Sequence, residues 1–303
     1  MESSQSVLST IITRARAYLD EVDVDSKYSD DFILRHYVHP SLVDITARLN
    51  LNRDDPIVNR LAYTLVDGQN DYALPPCVQK VLGFVIQDED GRIIYDVKPE
   101  GLFSWRDKGW ALEGNILSVT PLMTGEQWNV HLWYVSNGDT RPHLSTGGGE
   151  LREASDGRHE FVLGTPTLGE IDRRVNGYAG QTLRLLPASP AALENRVIES
   201  SYKEGSTWVC RLRHNFDETA VGENIPYEIA PPESEAFMEA AAVNVAMKMG
   251  TPRKITQGHM AALRVQWQAS MKTIGDNLSL IQSRTFKHVD KKTRDKGWGP
   301  FSE

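Results

Sequence analysis

With 303 residues, the chain is long enough for two or more folded units and can bury a core without help from metals or disulfides. Hydrophobic residues make up 40% and charged residues 24%, close to ordinary globular values. The formal net charge of −8 excludes a protein that coats DNA. Cys77 and Cys210 are its two cysteines. They form neither a CxxC nor a Cys/His cluster, which argues against structural zinc and favours two reduced thiols in a chain folded in the cytosol. The first residues, Met1 to Gln5, lack a basic and then apolar run, so no secretory signal is expected. No stretch approaches the roughly 20 apolar residues of a membrane span.

In chain order, Leu8, Ile11, Ile12, Ala15 and Leu19 line one face of a predicted first helix, with Ser4 or Ser6 as cap. The acidic stretch Asp20 to Asp25 ends it. Ser29-Asp30-Asp31 starts a second helix. Val38, Leu42, Ile45 and Leu49 continue the stripe, and Pro40 is expected to kink that helix or divide it. From about residue 62 the period changes. Asp67 to Pro75 reads as a turn leading into a short extended piece. Val78 to Ile86 and Arg92 to Val97 read as a hairpin around Asp88-Glu89-Asp90-Gly91, and Glu100 to Asp107 as a short helix.

A near-repeat occupies the middle. Gly114-Asn115-Ile116-Leu117-Ser118-Val119-Thr120-Pro121 is echoed by Gly180-Gln181-Thr182-Leu183-Arg184-Leu185-Leu186-Pro187, with Gly, Leu and Pro in register. Each copy is followed by an aliphatic residue four before a tyrosine: Val130 and Tyr134, then Ile198 and Tyr202. A strand ending at Pro, a turn and a return strand predict one β-hairpin per copy. Gly147-Gly148-Gly149 reads as a flexible loop near a subdomain boundary. Residues 150–176 carry no clear period.

Helix returns at Pro232-Glu233-Ser234-Glu235. Met238, Ala242, Val245 and Met249 form its face, Ala240 and Ala241 allow close packing, and Gly250-Thr251-Pro252 ends it. In the next and longest helix, Met260, Leu263, Trp267, Met271, Ile274, Leu278 and Ile281 form a near-heptad stripe, an oligomer seam or, more in keeping with the neighbouring alanine-rich helix, ordinary core. Residues 284–296 then hold six basic residues against Asp290 and Asp295, a local excess of four positive charges. The fold class is therefore α+β. N- and C-terminal helices (1–66 and 232–286) form a bundle, two β-rich regions (67–145 and 146–231) of hairpin or sandwich type are inserted, and 287–303 is an extended C-terminal arm.

No GxSxG, HExxH, Walker A or GxGxxG pattern is present. His36 and His39 have the spacing of a ligand pair but no third ligand nearby. Asp88-Glu89-Asp90-Gly91 lacks the later Glu of a calcium loop, and turn chemistry accounts for it. No cofactor is expected. Trp105, Trp110, Trp128, Trp133 and Trp208 fit a core or an interface; exposed faces would instead make a carbohydrate-binding module. An enzyme built on a carboxylate pair is the weakest reading, because no pair has a demanding spacing. The basic tail fits a solvated segment, a nucleic-acid contact or a docking arm. Trp298 and Phe301 at its end favour docking, with Lys287, Lys291, Lys292, Arg294 and Lys296 supplying charge.

Four pieces in order carry a resemblance: the paired N-terminal helices, the segment Asp67 to Pro75 with the strand through Val81 and Leu82, a strand–Pro–strand–Tyr unit, and Ile225-Pro226-Tyr227-Glu228 leading to the Ala-rich helix Glu235 to Met249. The chain resembles the tail adaptors, or head-to-tail connectors, of short-tailed bacteriophages. It departs from them in its second hairpin copy and in an extra segment near 141–180. The resemblance implies a virion structural protein and no enzyme: a ring, typically dodecameric, under the portal protein and above a tail or nozzle protein. DNA would pass through its channel without sequence-specific binding. The arm would dock on the portal, with the chain folded in the host cytoplasm and resident at the capsid–tail vertex, away from membranes. The alternative is a carbohydrate- or receptor-binding β-module of a tail.

Overall fold

The computed structural model describes residues 6–20, 28–51, 58–66, 69–88, 90, 92–97, 110–119, 128–139, 141–186, 195–216, 221–230, 234–251 and 255–294. Helix α1 (Val7–Ala17) is capped by Ser6, whose Oγ accepts from the Ser9 N–H at 3.2 Å. Helix α2 (Asp30–Ile33) is capped in the same way by Ser29. It runs through a π-helical turn at Leu34–Val38 into α3 (His39–Leu51). Pro40 thus neither divides nor ends this helix. The widened turn directly before it, closed by the His39 N–H on the Leu34 carbonyl, accommodates a residue that brings no N–H and crowds the preceding turn.

Helix α4 (Glu235–Gly250) starts at its cap Ser234 and is buried nearly all round. Its small residues Ala240, Ala241, Ala242 and Ala246 let neighbouring helices pack closely. Helix α5 (Gln257–Arg294) presents Leu263, Trp267, Met271 and Ile274 to the same core, which also takes Leu8, Ile11, Ile33, Leu42 and Ile45. N- and C-terminal helices therefore share one core, and the α5 stripe over this stretch is intramolecular.

The β structure is more closed than hairpins or a sandwich. A four-stranded sheet has the order β1-β7-β3-β4, from β1 (Val58–Thr64), β7 (Asn129–Ser136), β3 (Val78–Gln87) and β4 (Ile93–Val97). A small sheet joins β2 (Asp71–Ala73), β6 (Ile116–Val119) and β5 (Trp110–Glu113). Six strands close a barrel in the order β10-β11-β12-β9-β8-β13: β10 (Thr182–Leu185), β11 (Asn195–Glu204), β12 (Thr207–Leu212), β9 (His159–Val162), β8 (His143–Glu153) and β13 (Gly222–Ala230). Closure removes open sheet edges from this unit.

Strand β1 was not foreseen. The hairpin β3–β4 was, with the Asp88 carboxylate accepting from the Arg92 N–H at 2.7 Å. The near-repeat splits. Its second copy is a hairpin, β10 pairing with β11. Its first is not: β6 pairs with β5 and β2, while β7 pairs with β1 and β3. Gly114, at φ 58°, makes the β5–β6 turn, so the first copy pairs backward along the chain.

The glycine triplet is no loop but the middle of β8. Between the pairs Ser145–Tyr227 and Gly149–Ile225, residues 146–148 face Pro226 alone. This bulge sits where β13 has no N–H to offer. A Cβ on Gly149 would run into the Phe161 ring and lie 2.8 Å from Tyr227 Cδ1. The aromatic barrel core thus requires a bare backbone there. The expected short helix at Glu100 to Asp107 lies outside the described residues.

One carboxylate joins bundle and barrel. Glu228 of β13, fully buried, accepts from Ser6 Oγ at 2.6 Å and from the Val7 N–H at 3.0 Å. It caps α1 from a strand more than 200 residues away, and Arg184 of β10 meets it at 3.3 Å.

Candidate interaction surfaces

The predicted arm begins later than expected. Helix α5 continues through Arg294, so Lys287, Lys291, Lys292 and Arg294 stand on a helix and not on an extended segment. Helical hydrogen bonding and good helix formers there outlast the apolar stripe. Lys296, Trp298 and Phe301 lie outside the described residues. The helix spans about 57 Å at 1.5 Å per residue. Its first half is mounted firmly. Arg48 stacks over the Trp267 ring at 4.2 Å, and Lys248 pairs with Asp44 at 2.7 Å, tying α4 to α3. Gln266 Nε2 donates to Tyr18 Oη at 2.7 Å, and Tyr18 in turn donates to Glu239. Burial, with the Glu239 carboxylate, pushes the Tyr18 hydroxyl up to about 12, so it remains a donor at neutral pH.

A cleft of about 700 Å³ opens beside the π-helical turn, lined in part by Arg141, Glu170, Asp172, Arg173 and Arg174. Its carboxylates are occupied. Arg174 pairs with Asp172 at 2.6 Å and with Asp139 at 2.7 Å, His39 meets Asp139 at 3.2 Å, and Arg35 pairs with Asp31 and Glu170. Burial opposes ionisation of Asp139, yet Arg174 and His39 hold its carboxyl below the usual range. These contacts fasten the loop after β9 to the helices and leave no free general base.

A second, basic seam runs between the outer face of β1–β7 and the barrel. Arg60 Nη2 donates to His131 Nδ1 at 2.6 Å, and Arg213 Nη2 donates to the Arg60 carbonyl at 2.9 Å. Arg158 pairs with buried Glu199 at 2.7 Å, and Arg211 pairs with Asp156. Burial first, then the charges of Arg60 and Arg158, lower His131 to about 4. Burial and then Arg60 also push the Arg213 guanidinium down. No motif announced this seam. Residues 60, 131, 158 and 213 meet only through strand register and barrel closure.

The other sequence candidates are accounted for locally. His36 stacks on Phe32 with ring centres 4.2 Å apart, while His39 turns to Asp139. The two do not converge on a metal. Among the described residues no group of three His, Cys, Asp or Glu side chains could hold one. Trp208 is buried, Trp128 packs on the core of the four-stranded sheet, and Trp133 is half-buried, so none of these offers an open stacking face. Side chains of Trp105 and Trp110 are outside the described set. His143 lies buried between Tyr178 and Tyr227, at 3.1 and 3.2 Å, and burial lowers it to about 4. Neutral, hydrogen-bonded on both nitrogens and sealed in the barrel, it is a core element. Burial also pushes the free thiols of Cys77 and Cys210 up, which makes them inert.

Among the described residues the chain combines a helical bundle with a 38-residue helix, one closed barrel and two open sheets, paired ionic clusters and no group of side chains able to hold a metal. The sequence model of the SU10 adaptor protein family matches residues 8–156, so that segment is similar to this family of phage tail adaptors. The family is one of structural adaptors, not of enzymes, and its members bind other virion proteins. A search of curated proteins finds no match. The matched segment holds α1 to α3, the two open sheets and the start of the barrel. The remaining barrel strands, α4 and α5 lie beyond it. No described helix is long and apolar enough to cross a membrane.

Proposed function

We propose that the chain is the head-to-tail connector subunit of a short-tailed phage, forming a closed, dodecameric ring between portal and tail around the DNA channel. The observation that carries this reading is the family match over residues 8–156. A rigid bundle with a 38-residue helix leaving it supports it, as does a net charge of −8, which lets DNA slide past without adhering. Identical subunits in head-to-tail contact must close or polymerise, and a ring closes. The end of α5 and the residues after it, with Lys287, Lys291, Lys292, Arg294, Lys296, Trp298 and Phe301, form the portal-docking arm in this reading. The partners are the portal protein, a tail or nozzle protein and further copies of the chain, at the capsid–tail vertex. No described tryptophan favours the carbohydrate-binding alternative.

The test is quantitative mass spectrometry of purified particles. One ring's worth of copies per particle is expected, and absence from particles would sink the reading. Deleting residues 287–303 leaves every described core contact of α5 in place, since these end at Ile274. The truncated chain is expected to fold and to be missing from particles. Its normal incorporation would remove the arm assignment.

A further inference from the structure

The basic seam poses a physical problem that the adaptor reading does not absorb. Four arginines, Arg60, Arg158, Arg211 and Arg213, meet two carboxylates, Asp156 and Glu199, and each carboxylate is taken by an arginine other than Arg60 or Arg213. Arg213 instead reaches the Arg60 backbone carbonyl, and the Arg60 charge weighs against its own. Among the described residues the hydrogen-bond partners of these two guanidinium groups are a neutral imidazole nitrogen and a backbone carbonyl, and Glu199 acts on Arg213 only through its field. The Nε atoms of both are buried and without a hydrogen-bond partner among the described residues. Adjacent like charges, partly desolvated and under-bonded, raise the free energy of the folded chain. An anion arriving between them reverses that.

His131 is set up as a further donor. Arginine can only donate, so His131 Nδ1 accepts from Arg60 and the ring proton sits on Nε2. Trp133 lies opposite Arg60 across the β1–β7 pair and so shares its face, which places an aromatic ring beside the charges.

We infer that the seam formed by Arg60, His131 and Arg213 is a docking site for an acidic side chain of a partner protein, whose carboxylate completes the arginine pair. The kind of partner rests on the adaptor reading; the chemistry does not. Glu199 already shows a buried carboxylate bound by arginine in the same cluster. A nucleic-acid backbone needs an open basic track, and this chain as a whole repels polyanions.

The test uses the full chain and two probes of matched charge, a capped hexaglutamate peptide and a short single-stranded DNA, at low salt. The peptide is expected to bind, each of Arg60→Gln and Arg213→Gln weakening it about tenfold, while Arg35→Gln in the other ionic cluster leaves it unchanged. In NMR titrations the apparent pKa of His131 is expected to rise by about one unit when the peptide is bound. The thermal midpoint of free Arg213→Gln is expected to match or exceed that of the parent chain, because a like-charge contact is relieved. Binding of the DNA but not the peptide, or of neither, would overturn the inference. So would a marked fall in the Arg213→Gln midpoint with peptide binding intact, the sign of a purely structural role. Particle incorporation tests the adaptor reading separately.

Discussion

The helical bundle and the barrel solve the same burial problem with opposite materials. The bundle core is aliphatic and alanine-rich, with α4 buried on nearly all sides, and most of its polar contacts are caps and rim pairs. The barrel core adds five rings, Phe161, Tyr178, Trp208, Phe216 and Tyr227, to its leucines and isoleucines, and it carries a hydrogen-bonded histidine in its interior. Close-packed small residues make the bundle tolerant of polar change at its rim but intolerant of added volume. The barrel depends on a few large rings, on glycine backbone beneath them and on satisfied hydroxyls above them.

The largest expected effect comes from breaking the link between the two. Glu228→Ala removes the buried carboxylate that Arg184 meets at 3.3 Å and that accepts from the Val7 N–H, leaving α1 with its Ser6 cap alone. A loss of about 3–5 kcal/mol is expected, with bundle and barrel melting as two transitions where the parent chain shows one, as followed by calorimetry. A single transition of unchanged midpoint would mean the joint is not held there.

Next is the barrel's own polar core. His143 is depressed to about 4, so between pH 6.5 and 4 the unfolded chain takes up a proton that the folded chain refuses. Stability is full above pH 6.5, falls by about 3 kcal/mol as pH drops to 4, and is flat with respect to this group below that. His131 acts in the same direction but is more exposed to solvent and contributes less. His143→Phe should flatten the denaturation profile in this window by about one proton while costing about 2 kcal/mol at pH 7, through the hydrogen bonds that Tyr178 and Tyr227 would lose. An unchanged pH slope would remove His143 as its source.

Gly149→Ala is expected to cost about 1–3 kcal/mol by overpacking, because its methyl would lie 2.7 Å from the Ile225 carbonyl oxygen and against two rings. Gly147→Ala, with nothing within 4 Å of its Cβ, is the control that urea denaturation should find near parent stability. The smallest effect belongs to the bundle rim. Ser234→Ala removes the cap on the Phe237 N–H and should cost about 1 kcal/mol by the same measurement, with no change in pH dependence.

The contrast in materials also explains what could be read in advance. The helices announce themselves because a 3.6-residue period survives without knowledge of neighbours: Leu8, Ile11, Ile12 and Ala15 mark one face whatever packs on it. Ser6 caps where Ser4 or Ser6 was expected to, and Ser29 and Ser234, read only as parts of helix starts, cap locally as well. Strand partners are a different matter. Two chain segments sharing Gly, Leu and Pro at equal offsets ended in unlike pairings, since pairing is decided by what lies opposite and not by the strand itself. Gly147 to Gly149 spelled loop by composition, and only Phe161 and Tyr227, distant in sequence, make it a strand. The predicted arm residues could be picked by charge run and aromatic ends. The seam of Arg60, His131, Arg158 and Arg213 could not, because no two of the four are near neighbours in the chain. At Pro40, expected to kink the helix or divide it, a π-helical turn carries the helix through undivided.

The carboxylate that caps α1 from β13 has a consequence for synthesis. Its contact with Ser6 spans 222 residues, and closing so long a loop comes late in folding. On the ribosome, the first helix emerges with Ser6 as its local cap, but the Val7 N–H waits for three quarters of the chain before its acceptor exists. A chain that stops before β13 therefore cannot seat its opening helix as the finished protein does. The bundle is completed only after translation has passed the barrel, because α4 and α5, which share its core, follow β13.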